Sequence, residues 1–283
     1  MPAREDMKDD FPRHPVEPGV VEEGLGRVIY QDDRWTLRVR EVISALVEAG
    51  RRVYVVGGTP RDWLCGLPAK DIDLSLDAPV EDAHRVLRQA FPGIEPVLFH
   101  NPRFGVLRWG DARSGGIDLN ILRSPEDIQN DDMWTTTFVS RDDLRQDALT
   151  RDFSVNAFYY ACHGGGALMD PLGCGLEDLR SRTLRLICHP RILDAGYRLS
   201  FRIIQFLGRG YAPAPNVEEY LRRCVDRDVQ GMGKRLEMWI PNHLGPRSDR
   251  WEEFRRRLDG WILQEASRKV LDEVFSALER AGR

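Results

Sequence analysis

The chain has 283 residues, 42% of them hydrophobic and 30% charged, with a formal net charge of −4, a size and balance that suit a globular chain of two modest domains. No apolar run approaches the length of a membrane span, and the N-terminus lacks a signal-peptide pattern, so a cytoplasmic protein is expected. Five cysteines without a Cys-x-x-Cys spacing, and six scattered histidines, give neither a disulfide framework nor a zinc site.

Residues 1–25, rich in charge, Pro and Gly, read as a disordered arm. Residues 35–49 have helical spacing. The run from Arg51 to Val56 is apolar and β-branched, a buried strand in outline, and it stops at Gly57 and Gly58, which permit backbone angles closed to other residues. The helix expected next takes Thr59 as its N-cap, Pro60 at its first position and Asp62 as the capping-box acid. Free N–H groups and the positive dipole end at such a helix start suit phosphate oxygens, and Arg61 adds a charge-assisted donor.

The stretch Asp71-Ile72-Asp73-Leu74-Ser75-Leu76 reads as a strand with Asp71 and Asp73 on one face and Ile72, Leu74 and Leu76 on the other. Two neighbouring carboxylates repel unless a cation sits between them, and Mg²⁺, which takes oxygen ligands together with phosphate oxygens and water, is the natural neutraliser. Two such ions activate a hydroxyl and stabilise a departing pyrophosphate. Asp118, on the alternating run from Gly116 to Leu122, is a third acid that would meet this pair as a ligand or a general base. Taken singly, an Asp-x-Asp, a Gly-Gly or a strand acid is a common surface feature. Their order and spacing together point to metal-dependent nucleotidyl transfer.

Residues 80–90 read as a crossover helix, 97–109 as one or two strands, and 134–138 as a strand flanked by loops. A helix over 152–161 would put Asp152 and Asn156 on one face, an acid and an amide suited to ribose hydroxyls, unless Asp152 is only a cap and Asn156 an exposed side chain. From residue 191 onward the pattern turns helical, over 192–207, 217–229, 234–240 and one long helix at 249–278. In that last stretch Trp251, Phe254, Leu258 and Trp261 recur at three- and four-residue steps, as a buried stripe does. Residues 1–180 carry 21 Lys and Arg against 31 Asp and Glu, net −10, while 181–283 carry 20 against 14, net +6. An acidic head with a basic tail suits a tail that grips a polyanion, through Arg222, Arg223, Lys234, Arg235, Arg255, Arg256 and Arg257, although each of these alone is equally a solvated helix residue.

The residues from Val55 to Leu74, with Gly-Gly, Arg-Asp, a Leu-x-Gly turn and Asp-x-Asp, resemble the head-domain signature of class II CCA-adding tRNA nucleotidyltransferases and bacterial poly(A) polymerases. Leu149-Thr150-Arg151-Asp152-Phe153-Ser154-Val155-Asn156-Ala157 resembles the family's Arg-Arg-Asp-Phe-Thr-x-Asn-Ala, with Thr150 in place of the first Arg. Phe104-Gly105-Val106, the strand from Ile117 to Arg123, and the turn from Asp170 to Leu179 resemble further family segments. The resemblance spans about residues 53–187. It implies an α/β (α+β) nucleotidyltransferase head domain with a small mixed sheet at 26–187, followed by an all-helical neck- and body-like domain at 188–283.

The activity implied is template-independent transfer of NMP from an NTP, ATP or CTP, to the 3′-hydroxyl of an RNA, above all a tRNA 3′ end. Asp71 and Asp73 would hold two Mg²⁺, and Asp118 would assist the acceptor oxygen. Gly57, Gly58, Arg61 and Asp62 would form the triphosphate end, and Arg151, Asp152 and Asn156 the phosphate and ribose contacts. Family members with CCA activity carry Glu-Asp-x-x-Arg, where this chain has Leu193-Asp194-Ala195-Gly196-Tyr197-Arg198, so Asp194 and Arg198 either touch the base or form an ordinary surface pair. The helical tail is shorter than in those enzymes, which leaves room for a homo-oligomer supplying the rest or for a smaller acceptor. The alternatives are the same chemistry on a small-molecule or protein acceptor, and a non-catalytic RNA-binding protein.

Overall fold

A computed structural model of the chain describes residues 11–69, 71–94, 97–111, 113, 116–128, 136–188, 198–224, 229–245 and 249–281. The chain divides into two units, residues 1–177 with 187–191, and 178–186 with 192–283. The boundary expected at 187/188 lies within the stretch that passes between them.

The first unit contains β1 (Arg13–His14), α1 (Pro18–Leu25), β2 (Val28–Gln31), β3 (Thr36–Arg38), α2 (Val39–Glu48), β4 (Val53–Val56), α3 (Gly58–Leu64), β5 (Asp73–Leu76) and α4 (Val80–Ala90). It continues with β6 (Val97–Asn101), β7 (Val106–Trp109), β8 (Ile117–Ile121), α5 (Leu144–Ala148), a 3₁₀ turn at Ser154–Asn156, β9 (Tyr159–Ala161) and β10 (Ala167–Met169), and α6 (Gly175–Arg180) straddles the division. Eight strands form one mixed sheet in the order β1-β10-β9-β4-β5-β8-β7-β6. Every pairing in it is antiparallel except β5 with β8.

The centre of the sheet is where the apolar runs fall. All four residues of β4 are buried, so both faces of that strand are covered. The amphipathic helices α2, burying Val39, Val42, Ile43 and Leu46, and α4, burying Val80, Ala83, Val86 and Leu87, pack on each other and on the sheet. A second cluster gathers Tyr54, Val56, Leu122, Leu144, Ala148, Ala157 and Tyr159. Side chains of this size contribute roughly 1.5–3 kcal/mol each on full burial, which fixes the strands that carry the acids.

Several elements differ from the sequence expectation. Residues 11–25, expected as a disordered arm, hold β1 and α1, because Val20, Val21 and Gly24 supply a short buried stripe; a Cβ at Gly24 would lie 2.9 Å from the Trp63 ring. The helix expected over 35–49 starts at Val39, since Thr36–Arg38 pairs with β2 as a strand. The 3₁₀ turn and β9 replace the helix expected over 152–161, where Tyr159 to Ala161 complete the sheet. Of the strand expected at 134–138, residues 134 and 135 lie outside the described residues, and 136–138 form no strand.

The second unit holds β11 (Thr183–Leu184), α7 (Arg198–Gly208), β12 (Ala212–Pro213), α8 (Pro215–Cys224), α9 (Val229–Leu244), α10 (Asp249–Asp259) and α11 (Glu265–Ala281). Apart from the two-residue parallel pair β11–β12, its described elements are helices. The single helix expected over 249–278 is two, broken where Gly260 and the residues after it turn the chain. Trp251, Phe254 and Leu258 are buried as a stripe. No described helix is long and apolar enough to cross a membrane.

Candidate active site

The site is assembled where β4 ends and β5 and β8 run side by side. Gly57 stands at the end of β4 with φ +74°, a left-handed angle that the Cβ of other residues resists, and the chain enters α3 directly after it. A Cβ at Gly57 would lie 3.3 Å from Asp73 Oδ2, so the turn passes directly over that carboxylate. At Gly58 a Cβ would meet the Arg61 guanidinium at 3.1 Å. The expected N-cap is corrected here: Thr59 lies inside α3, and its hydroxyl donates to the Asp71 carbonyl at 2.5 Å instead of capping the helix. A tertiary acceptor has taken the hydroxyl, and the same bond ties the acidic strand to α3.

Asp73 opens β5 and is half-buried; Asp71 lies two residues earlier in a bend, with its side chain 91% exposed, while Ile72 between them is buried. In the parallel ladder Asp73 stands in register with Asp118, which puts the third acid beside the pair on the neighbouring strand. Burial, then the Asp118 charge, push the Asp73 carboxyl up to about 6; Asp71 adds to the rise, and the Arg151 and Arg108 cations oppose it. Three carboxylates thus share one electrostatic neighbourhood.

Two of them meet an arginine directly, and Asp73 feels the charges of Arg151 and Arg108. Arg108, directly across the β7–β8 ladder, grips Asp118 with Nε and Nη2 donating at 2.6 Å each, and its own pKa is raised, chiefly by that hydrogen bond. Arg27 Nη1 lies 3.7 Å from Asp71 Oδ1. Arg151 points inward: its Nη2 donates to Asp147 at 2.6 Å and to Ser75 Oγ at 3.1 Å, and Nε reaches Asp147 at 3.2 Å. Burial works against the Arg151 charge, but Asp147 outweighs it and raises the pKa. Asp147 itself is buried and also accepts from the Arg123 N–H at 2.8 Å and the Tyr159 hydroxyl at 2.5 Å.

The remaining expected residues form a second line. Arg61 donates through Nε and Nη2 to Asp62 at 2.9 and 2.7 Å, so Asp62 partners its neighbour rather than capping the helix, and Nη1 donates to Asn156 Oδ1 at 2.6 Å. Asn156 Nδ2 in turn donates to Asp152 Oδ1 at 3.0 Å. The 3₁₀ turn therefore still joins Asp152 to Asn156 and connects both to α3. Arg198 is exposed at the start of α7 in the second unit, and Asp194 lies outside the described residues. The sequence reading missed Arg27, Ser75, Arg108 and Asp147; Arg108 was signalled only as the lone cation of its strand and Asp147 only by its four-residue spacing from Arg151, while Arg27 and Ser75 depend on long-range pairing.

Among the described residues no group of three or more His, Cys, Asp or Glu side chains is arranged to hold an ion by itself. A carboxylate pair fits Mg²⁺ nonetheless, because that ion is bound through one or two carboxylates and completes its shell with phosphate oxygens and water. The donors here are all oxygens, and Asp73, held up by burial and by its acidic neighbours, is the group a cation would relieve.

An acid pair and a third acid on adjoining strands of a mixed sheet, under a glycine turn that leads into a helix, define a nucleotidyltransferase head. Residues 53–185 match the Poly A polymerase head domain, and through that segment the chain is similar to class II CCA-adding enzymes and bacterial poly(A) polymerases. The CCA-adding enzyme of Geobacillus stearothermophilus is 30% identical over 213 residues, which cover 72% of this chain and 48% of the relative. The multifunctional CCA protein of Xanthomonas campestris pv. campestris is 29% identical over 220 residues, 73% of this chain and 45% of the relative. A solved tRNA nucleotidyltransferase complexed with a primer tRNA and an incoming ATP analog shares the fold, with a TM-score of 0.56 at 22% identity, over 78% of this chain and 60% of that one. The chain spans about half the length of the curated relatives it matches.

Proposed function

We propose that the chain is a template-independent nucleotidyltransferase that moves NMP from ATP or CTP to the 3′-hydroxyl of an RNA, with tRNA as the acceptor and pyrophosphate as the second product. The observation that carries this reading is the in-register placement of Asp118 beside Asp73, with the Gly57 turn against the Asp73 carboxylate. The curated relatives with the same head are CCA-adding enzymes, and a structure of the same fold holds primer tRNA with an ATP analog, which supports tRNA as the acceptor. Such substrates suit a cytoplasmic protein.

Asp71 and Asp73 would hold two Mg²⁺, which when bound would neutralise the triphosphate and lower the pKa of the attacking hydroxyl. Gly57, Gly58 and Arg61 cradle the triphosphate, and Asp62 holds Arg61 in place. Asp152 and Asn156, already joined to each other and to Arg61, offer acceptor and donor to the ribose. Arg151, locked to Asp147, acts as the fixed cation behind Asp73. Asp118 serves as ligand or proton acceptor for the attacking hydroxyl, and Arg108 fixes the orientation of its carboxylate. As the acceptor oxygen bonds to the α-phosphorus, the bond to pyrophosphate breaks.

The test is incubation of the purified protein with tRNA trimmed by one to three nucleotides, Mg²⁺ and labelled ATP or CTP. Label should enter the tRNA with the intact chain and not with Asp71→Ala or Asp73→Ala; retained turnover in either folded variant removes the assignment. A second acceptor class is favoured by one observation. In the helical unit Arg222, Arg255, Arg256 and Arg257 are engaged with Glu218, Asp272 and Glu253, so much of the basic surface is internally paired. Label transferred to a metabolite or protein, with none in tRNA, would establish that reading.

A further inference from the structure

The row that holds Asp73 and Asp118 continues across the sheet to its edge. Asp73 on β5 stands in register with Asp118 on β8, Asp118 with Arg108 on β7, and Arg108 with Phe99 on the edge strand β6. Cross-strand partners share a face, so the four side chains line up. The opposite face is the covered one: Leu107 and Trp109 are buried there, α4 packs against β7, and His100 meets Glu81 of that helix at 3.9 Å. Alternation along β6 therefore sends Phe99, the neighbour of His100, to the side of the acids.

Phe99 is 52% exposed, so its ring stands largely in water at the end of that row. The edge itself is a poor seat for another strand, because the register shifts between Val97 and Phe99 and the ladder is broken there. What the row offers is chemistry in a fixed order: the Asp118 carboxylate, the half-exposed Arg108 guanidinium that grips it, and the flat apolar ring of Phe99. A nucleotide presents its 3′-hydroxyl, its sugar and phosphate, and its base in the same order. Two strand spacings, about 10 Å, separate Asp118 from Phe99, a span on the scale of one nucleotide. The Gly57 turn lies on the other side of Asp118, beyond β5, and the attacking and leaving oxygens of an in-line transfer stand on opposite sides of the phosphorus. With the triphosphate at the glycine turn, the acceptor comes in over β7 and β6.

We propose that Phe99 is the stacking platform for the 3′-terminal base of the acceptor RNA, with Arg108 beside the adjoining ribose and phosphate. Unpaired bases at RNA ends are commonly held on exposed aromatic rings of a sheet in this way. The inference rests on the nucleotidyl-transfer reading of the site and adds to it an acceptor subsite two strands from Asp118.

The experiment uses the whole chain, Mg²⁺ without NTP, and a tRNA trimmed by one nucleotide that carries 2-aminopurine as its last base, whose emission falls when it stacks. Wild type is compared with Phe99→Ala, Phe99→Leu, Phe99→Trp and His100→Ala, the last a control on the other face of the same strand. Phe99→Ala should bind the tRNA about tenfold more weakly, the scale of one base on one ring, and leave its last base brighter at saturation. Phe99→Leu, apolar but without a π-face, should resemble Phe99→Ala, whereas Phe99→Trp should keep both signals and His100→Ala should match wild type. Calorimetric affinity for MgCTP should be the same in all five proteins. A Phe99→Ala protein with unchanged affinity and emission overturns the proposal, and so does a Phe99→Leu protein equal to wild type, which would reduce the contact to simple apolar burial. Loss of self-association in Phe99→Ala with tRNA binding intact also overturns it and assigns the edge to a second copy of the chain. If wild type binds and extends the tRNA and the variants do not differ from it, this inference alone falls. If wild type neither binds nor extends the tRNA, the acceptor reading of the site falls with it.

Discussion

Replacing Asp73 with asparagine should stabilise the metal-free head while removing the activity, and the gain should appear only above a defined pH. In the fold, burial and the Asp118 and Asp71 charges raise the Asp73 carboxyl from 3.8 to about 6. Below about pH 4 the group is protonated in folded and unfolded chains alike, and the charge costs nothing. Between 4 and 6 the unfolded chain ionises first, so the folded state loses ground with rising pH. Above 6 both are ionised and the deficit is constant. A rise of some two units corresponds to about 3 kcal/mol, at 1.36 kcal/mol per unit, and relaxation of the site reduces it toward 1 kcal/mol. Amide exchange of β4, β5 and β8 in EDTA, wild type against Asp73→Asn, reads this difference in the head itself. The gap should be near zero at pH 4, open through pH 6 and stay level to pH 8, and Mg²⁺ should narrow it by stabilising only the wild type. An Asp73→Asn protein no more stable than wild type at pH 7 in EDTA, or a gap already full at pH 4, refutes the electrostatic reasoning.

Two further substitutions probe the frame of the site. Asp147→Ala removes the acceptor of Arg151, the Arg123 N–H and Tyr159 and leaves a largely buried guanidinium without its counter-charge, so the head should lose about 3–5 kcal/mol and become protease-sensitive; resistance equal to wild type would contradict this. Gly57→Ala must hold φ at +74°, at a cost of about 1–2 kcal/mol, and its methyl would press on Asp73 Oδ2, so transfer should fall more steeply than the melting temperature; unimpaired transfer would show that the turn is not part of the site.

Part of the local chemistry was readable where a residue's partner lies close along the chain, although the Arg61–Asp62 and Arg151–Asp147 pairs were not. The helix at Val80–Ala90 and the strands that carry Asp73 and Asp118 follow directly from apolar periodicity. The Asp152–Asn156 bond also survived a wrong secondary structure, because a 3₁₀ turn brings the two side chains together as a helix would have done. Most other failures depended on partners elsewhere in the fold. Thr59 looks like a cap until the Asp71 carbonyl, twelve residues on, takes its hydroxyl. Arg151 looks like an open phosphate ligand until Ser75 on another strand, together with Asp147 four residues before it, claims it. Arg27 lies 89 residues from the Gly116 carbonyl that orients it, a pairing that only the docking of β2 on the β7–β8 turn creates.

The most direct measurement is a crystal structure of the chain with Mn²⁺ and a non-hydrolysable CTP or ATP analogue, read by anomalous scattering. The account predicts manganese on the carboxylates of Asp71 and Asp73, and a triphosphate running from that metal along the Gly57–Gly58 turn. Metal absent from those two carboxylates, or a nucleotide bound elsewhere on the head, would contradict it.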